Sequence, residues 1–297
     1  MRRSDSSPGA APSNDHVADD PNEQLSEGAI DEMRRRLLSW YADNGRDLPW
    51  RRTRDPYAIL VSEVMLQQTQ VSRVVPKYGE FIARFPDLRA LARAPLADVL
   101  AVWSGLGYNN RAVRLKRAAE AAVARTREGR LRRPPTLPDT VEELVSLPGI
   151  GPYTARAVLI FAHNADLAAV DANIRRVLLH ELRLAHNLPV AELQQVAEAV
   201  LPRGRSRDWH NALMDYGSLV LTSRTTGIAP LTTQSPFAGS RRSYRSRLVK
   251  LLLAENPRRR DQLPELLGLA PEHASEIVRL LEADELVVCD DELVRLA

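Results

Sequence analysis

VEELVSLPGIGPYTARAVLIFAHN, residues 141–164, joins two amphipathic stretches through Leu147-Pro148-Gly149-Ile150-Gly151. Two glycines two apart let a backbone turn tightly and keep Cβ atoms away from the amides, beside the helix that opens at Pro152. Helix N-termini carry unpaired amides and a partial positive charge, so such a turn suits an anion. A Leu-Pro-Gly turn alone is also an ordinary corner between helices. With the second glycine and a helix on each side, it suits a backbone phosphate of nucleic acid, held without reading a base.

Twenty residues beyond Gly151 comes AAVDANIRRV (168–177), in which Asp171 ends an apolar run just before a helix. An Asp there is an N-cap in the first instance. One carboxylate oxygen can cap while the other faces a cleft. Upstream, AILVSEVMLQQTQV (58–71) places Glu63 as the one charge of a strongly apolar helix. That acid either points to solvent or is desolvated, and desolvation raises a carboxyl pKa toward the range of a general acid at neutral pH. One protonated and one ionised carboxyl are what cleavage of a glycosidic bond calls for. Glu63 and Asp171 are the candidates.

The rest of the 297 residues frames these motifs. Residues 1–26 are polar and read as a disordered tail. From Glu27, apolar residues recur at helical spacing between Pro and Gly stops, and aromatics are only 5% of the chain, so the fold is read as all-α. Residues 222–240, rich in Thr, Ser, Gly and Pro, read as a connection, followed by three helices and two short strands around Asp290-Asp291, a pattern like a small winged-helix domain. The net charge of +3 says little, but its distribution is uneven. Arg111–Arg133, Arg203–Arg207 and Arg241–Lys250 are basic clusters, each either a solvated helix face or a nucleic-acid contact. The single cysteine, Cys289, excludes an internal disulfide and any four-cysteine metal site. No signal-like or membrane-length apolar run is present, so a cytoplasmic, nucleoid-associated protein is expected.

Taken together, LPW (48–50), SEVMLQQTQV (62–71), WSGLGY (103–108), LPGIGPYTA (147–155), VDANIRRV (170–177) and NALMDYGSLV (211–220) resemble the MutY-type adenine DNA glycosylases of the helix-hairpin-helix superfamily. The likeness runs from about Ile30 to Gly239. It implies two helical subdomains with a cleft between them, 56–165 holding the hairpin and 27–55 with 166–239 forming the other, followed by the winged-helix-like segment 240–297. It implies that Glu63 protonates adenine and activates water, that Asp171 supports the oxocarbenium ion, and that Tyr153 stands beside Asp171. Trp50, Arg51 and Asp215 would line the base pocket, although Trp50 and Tyr108 also suit plain core packing. Gln67 and Tyr108 would wedge into the base stack, and Gln68, Leu147, Gly149, Gly151, Thr154 and Arg175 would contact DNA. Bifunctional relatives carry Lys where this chain has Tyr153, which implies a monofunctional enzyme.

Two departures stand out. Where the family has four cluster-binding cysteines, this chain has Leu221, Ile228, Leu231 and Phe237, so no iron-sulfur cofactor and a small hydrophobic plug in its place are expected. The family's larger C-terminal domain is replaced by the winged-helix-like segment. The expected partner is double-stranded DNA with a mismatch or lesion, bound by a monomer. Adenine opposite 8-oxoguanine or guanine is the expected substrate, with thymine or uracil opposite guanine as the alternative, and a non-catalytic damage sensor as a third.

Overall fold

The computed structural model describes residues 26–127, 135–231 and 236–297. The polar tail, apart from Ser26, and the basic residues Arg130, Arg132 and Arg133 lie outside them. Ser26 caps the first helix, α1 (Glu27–Asn44), accepting a hydrogen bond from the Ala29 amide. A 3-10 turn, Pro49–Arg51, leads to α2 (Pro56–Leu66), then α3 (Val71–Arg84), α4 (Leu88–Arg93), α5 (Leu96–Trp103) and α6 (Asn110–Arg127). The hairpin pair is α7 (Val141–Val145) and α8 (Pro152–His163), followed by α9 (Ala172–Glu181), α10 (Val190–Ala199), α11 (Ser206–Leu219) and α12 (Ser223–Thr226).

Helix α2 is the axis of the molecule. Asp55 caps it by accepting from the Tyr57 amide, Pro56 occupies its first position, and every residue from Tyr57 to Met65 is buried. A helix buried all round needs apolar residues on every face, which is what AILV and VML supply. It packs on α8, α3 and α6, and these belong to a first core holding Leu60, Phe81, Leu91, Trp103 and Leu144. A second core gathers Leu37 of α1, Val177 and Leu178 of α9, and Trp209 and Leu213 of α11, where α1 and α9 both pack on α11. The close approach of α9 and α11 depends on Gly217, because a Cβ there would come within 2.8 Å of Asn173.

The C-terminal segment forms α13 (Arg241–Ala254), β1 (Arg258–Arg259), α14 (Leu263–Leu267), α15 (Pro271–Ala283), β2 (Val287–Cys289) and β3 (Leu293–Leu296). The strands make an antiparallel sheet in the order β1-β3-β2, with Val287 opposite Leu296 and Arg258 opposite Val294. This is the winged-helix order of elements. Its apolar residues, among them Leu248, Leu252, Ile277 and Val294, are continuous with the first core, and α13 rests on α5. Strand β1 is two arginines with no apolar alternation, which leaves the sequence without a strand signal there.

Candidate active site

The hairpin is held from below. Thr140 caps α7: its hydroxyl oxygen accepts from the Glu143 backbone amide, and the hydroxyl faces the Glu143 carboxylate as a donor. Gly149 has φ +77°, and a Cβ there would meet the Arg114 Cβ at 2.5 Å, so only glycine allows the turn to lie against α6. Gly149 and Gly151 are exposed at the turn. Leu147 and Thr154, expected at the DNA surface, are instead buried, 2% and 4% exposed. Leu147 belongs to the first core, so its side chain fastens the hairpin from within, and Thr154 is buried on the inner face of α8.

A cavity of about 390 Å³ opens where the two cores meet, within the range of about 300–1,000 Å³ usual for small-molecule sites. Glu63 and Ser62 of α2, Tyr153 of α8, and Asp171 with Asn173 at the start of α9 reach it together. Trp50, Ile59, Leu66, Phe161 and Met214 provide apolar wall, and Gln67, Gln68 and Thr69 form part of its lining where α2 ends. Gln68 takes a left-handed conformation, φ +55°, which turns the chain sharply off the helix.

The electrostatics separate the two carboxyls. Burial first, and then the neighbouring Asp171, push the Glu63 pKa up to about 8 against the opposing pull of Arg51 and the Tyr153 hydroxyl. Burial also raises Asp171, but its charged form is better supported: it accepts from the Ile174 amide at 2.7 Å and the Asn173 amide nitrogen at 3.0 Å, with Arg176 nearby. Amide donors favour an ionised carboxylate. These surroundings favour the proton on Glu63 and the charge on Asp171. Tyr153 hydrogen-bonds Glu63, and burial raises its own pKa well above the ordinary value, so it stays a neutral hydroxyl. Asp171 is thus both the N-cap of α9 and a wall of the cavity.

Asp215, expected on the pocket wall, is fully buried behind it. Arg51 grips it with two bonds of 2.7 and 2.8 Å, and Arg46 adds its own backbone amide at 2.8 Å and Nε at 2.7 Å. Burial pushes that carboxyl up, and the two guanidinium groups outweigh it and hold its pKa below the usual value. Arg46 and Arg51 reach the cavity in its place, because a carboxylate with this many donors needs no water.

Several supporting residues carry no sequence signal. His210 is buried, accepts at Nε2 from the Ala169 amide at 3.0 Å, and so carries its proton on Nδ1, facing the Ser206 carbonyl at 2.7 Å. With Ser206 bonded to the Leu167 carbonyl, it clamps the strand-like approach to Asp171. Burial lowers its pKa to about 4, which keeps it an acceptor. Arg111, part of a cluster taken as surface, is 7% exposed and donates to the carbonyls of Val64, Met65, Gln67, Leu106 and Gly107. It locks the end of α2 to the loop carrying Tyr108.

The expected DNA contact Arg175 is also turned inward, 8% exposed, donating to His186 and Ala229 carbonyls. Its neighbour Arg176 bonds the carbonyls of Gly217, at 2.6 Å, and Leu221. These bonds correct the hydrophobic plug. Leu221 and Ile228 do enter the second core, but Leu231 and Phe237 are 66% and 56% exposed. Guanidinium bonds to backbone carbonyls supply much of what holds this loop. A four-thiolate cluster does not fit here: those four positions are Leu, Ile, Leu and Phe, and Cys289 lies on β2. Among the described residues no group of three or more His, Cys, Asp or Glu side chains is arranged to hold a metal ion.

Residues 61–203 match the HhH-GPD superfamily of base excision DNA repair proteins. The chain belongs to this superfamily. Its hairpin and both cavity carboxyls lie within the matched HhH-GPD residues. It is 42% identical over 201 residues to the adenine DNA glycosylase of Mycolicibacterium smegmatis, covering 66% of each chain. It is 37% identical over 212 residues to the human adenine DNA glycosylase, covering 67% of this chain and 37% of that one. The match thus spans about two thirds of the mycobacterial relative and much less of the human one. A thermostable thymine-DNA glycosylase superimposes with a TM-score of 0.58 at 29% identity, covering 66% of this chain and 89% of that one. Endonuclease III bound to DNA gives a TM-score of 0.58 at 18% identity, which shows a shared fold.

Proposed function

We propose that the chain is a monofunctional adenine DNA glycosylase, acting as a monomer on duplex DNA and hydrolysing the N-glycosidic bond of adenine opposite 8-oxoguanine or guanine. The observation that carries this is one cavity in which a desolvated Glu63 stands beside Asp171, whose carboxylate is held by the Ile174 and Asn173 amide donors. A base inside a duplex cannot reach such a recess, so the nucleotide is flipped into it. Glu63 then donates its proton to a ring nitrogen of adenine, and the C1′–N bond breaks with its electron pair going to the base, which leaves neutral. Asp171 stabilises the positive sugar left behind. The Glu63 carboxylate takes a proton from the attacking water, the oxygen bonds C1′, and the acid is restored. Tyr153 has no amine to form a Schiff base, so strand cleavage is not part of the reaction.

The names of the sequence relatives support adenine as the base. Single-turnover assays on A:8-oxoG, A:G, T:G and U:G duplexes test it. Adenine release from the first two, leaving an intact abasic strand, is the expected outcome; release from T:G or U:G with none from the adenine mismatches would replace it with a pyrimidine enzyme.

We further propose that the enzyme works without an iron-sulfur cluster, since no cysteine stands at the four positions. Purified protein should show no visible iron-sulfur absorbance. Localisation in the nucleoid follows from the DNA substrate; no helix among the described residues is long and apolar enough to cross a membrane.

A further inference from the structure

The winged-helix unit meets the rest of the molecule at one chemically unusual point. The Arg242 guanidinium donates to the Tyr108 hydroxyl at 2.6 Å and lies 5.5 Å from the centre of its ring. Arg111 lies at the same distance from that ring. Tyr108 has φ +47°, uncommon for a bulky residue, in a loop where Gly105 and Gly107 are also left-handed. The loop is tied to the cavity lining: Arg111 bridges the carbonyls of Gln67 and Gly107, and the Thr69 hydroxyl donates to Leu106. Gln67 and Thr69 line the cavity, so this loop stands at its rim, where the partner of a flipped base would be left.

The surfaces a winged helix ordinarily turns to DNA suit it poorly here. Along α15 and the β2–β3 turn the exposed acids Glu272, Glu282, Asp290, Asp291 and Glu292 outnumber Arg279 and the flanking Arg260 and Arg295, a poor balance for phosphate. On α13, Arg241 pairs with Glu276 and Arg245 with Asp284, both inside the unit, and Glu285 pairs with Arg117 of α6. Arg242 instead reaches across to the loop beside the cavity.

We propose that Arg242 is a positioning residue through which the winged-helix unit sets discrimination of the base opposite the excised adenine. It does so by fixing the Tyr108 side chain at the orphaned partner, and α15 and the wing take no part. The inference rests on the adenine glycosylase assignment.

The test uses the full chain and duplexes carrying adenine opposite 8-oxoguanine, guanine or cytosine, and reads the ratios of single-turnover rates. Arg242→Ala is expected to narrow the ratios by roughly tenfold while excision opposite the preferred base persists and melting stays near wild type. Arg242→Lys, which keeps a donor for the hydroxyl, is expected to restore part of the discrimination. Tyr108→Phe removes the acceptor and should narrow the ratios alike, with the double variant no worse than either single one. Asp291→Asn with Glu292→Gln on the wing should leave the ratios unchanged. Unchanged ratios in Arg242→Ala, additive effects in the double variant, or an equal rate loss opposite every base would overturn the proposal, as would altered ratios in the wing variant. A wild-type chain that leaves every adenine duplex intact would instead remove the assignment beneath it.

Discussion

Glu63 sits where an ionised group is most costly, inside a helix buried on every side. Its pKa of about 8 means that the folded state prefers the neutral acid. The stability this lends is complete below the ordinary value of 4.5 and is lost as pH rises through 4.5 toward 8. Glu63→Gln removes that dependence, so the variant's melting temperature should gain on wild type as pH increases from 5 to 8. The difference grows at up to about 1.4 kcal/mol per pH unit. Excision should move the other way: the rate falls above about pH 8 as Glu63 loses its proton, and at low pH as Asp171 gains one. A pH-rate profile that keeps rising past pH 9 would contradict a general acid at this position. Both carboxyls were legible in the sequence because each is out of place, one charge in an apolar helix and one acid closing an apolar run. Arg111, Arg175 and Arg176 were not, because a charge in a polar stretch reads as solvated, and nothing in the order of residues shows a guanidinium turned inward to collect carbonyls.

Among the elements, α11 does more for the site than its own sequence suggests. His210 and Ser206 hold the segment 167–169 that delivers Asp171, and Asp215 on the same helix anchors Arg46 and Arg51. His210→Ala leaves the Ala169 amide unpaired in a buried place, a loss of about 1–3 kcal/mol of stability. Because Asp171 is thereby loosened, the single-turnover rate should fall more than DNA affinity does, a split that parallel rate and binding measurements would show. Asp215→Asn weakens the grip on two guanidinium groups at once and should cost about 3–5 kcal/mol, visible in denaturant unfolding. The helices and the hairpin were readable from periodicity and from Pro and Gly stops. The loop after α11 was readable only in half: Leu221 and Ile228 are buried, while Leu231 and Phe237 stay in solvent, since backbone bonds from Arg175 and Arg176 order that loop without further burial.

Across the whole molecule, two helical cores meet at a cleft and a winged-helix unit is packed onto the first of them. The cleft is where elements from distant parts of the chain converge, with Trp50, Glu63, Tyr153, Asp171 and Asn211 drawn from five separate stretches. Such convergence is a property of packing: Glu63 and Asp171 stood out in the sequence one by one, Trp50 and Tyr153 through family likeness, and Asn211 carried no signal of its own. The loop after α11 is stapled to α9, so Arg176→Met should lower the melting temperature of this chain, by about 4 °C or more if one buried charge-assisted bond is lost. Chelators should leave that temperature unmoved, which thermal unfolding with and without a strong iron chelator would show. The central claim is that one cleft, with Glu63 as acid, releases adenine. Single-turnover excision on an A:8-oxoG duplex, wild type beside Glu63→Gln, tests it most directly. The prediction is free adenine and an unbroken abasic strand from wild type, and a loss of at least about 10²-fold in the variant; an undiminished rate in Glu63→Gln, or no adenine from wild type, would contradict it.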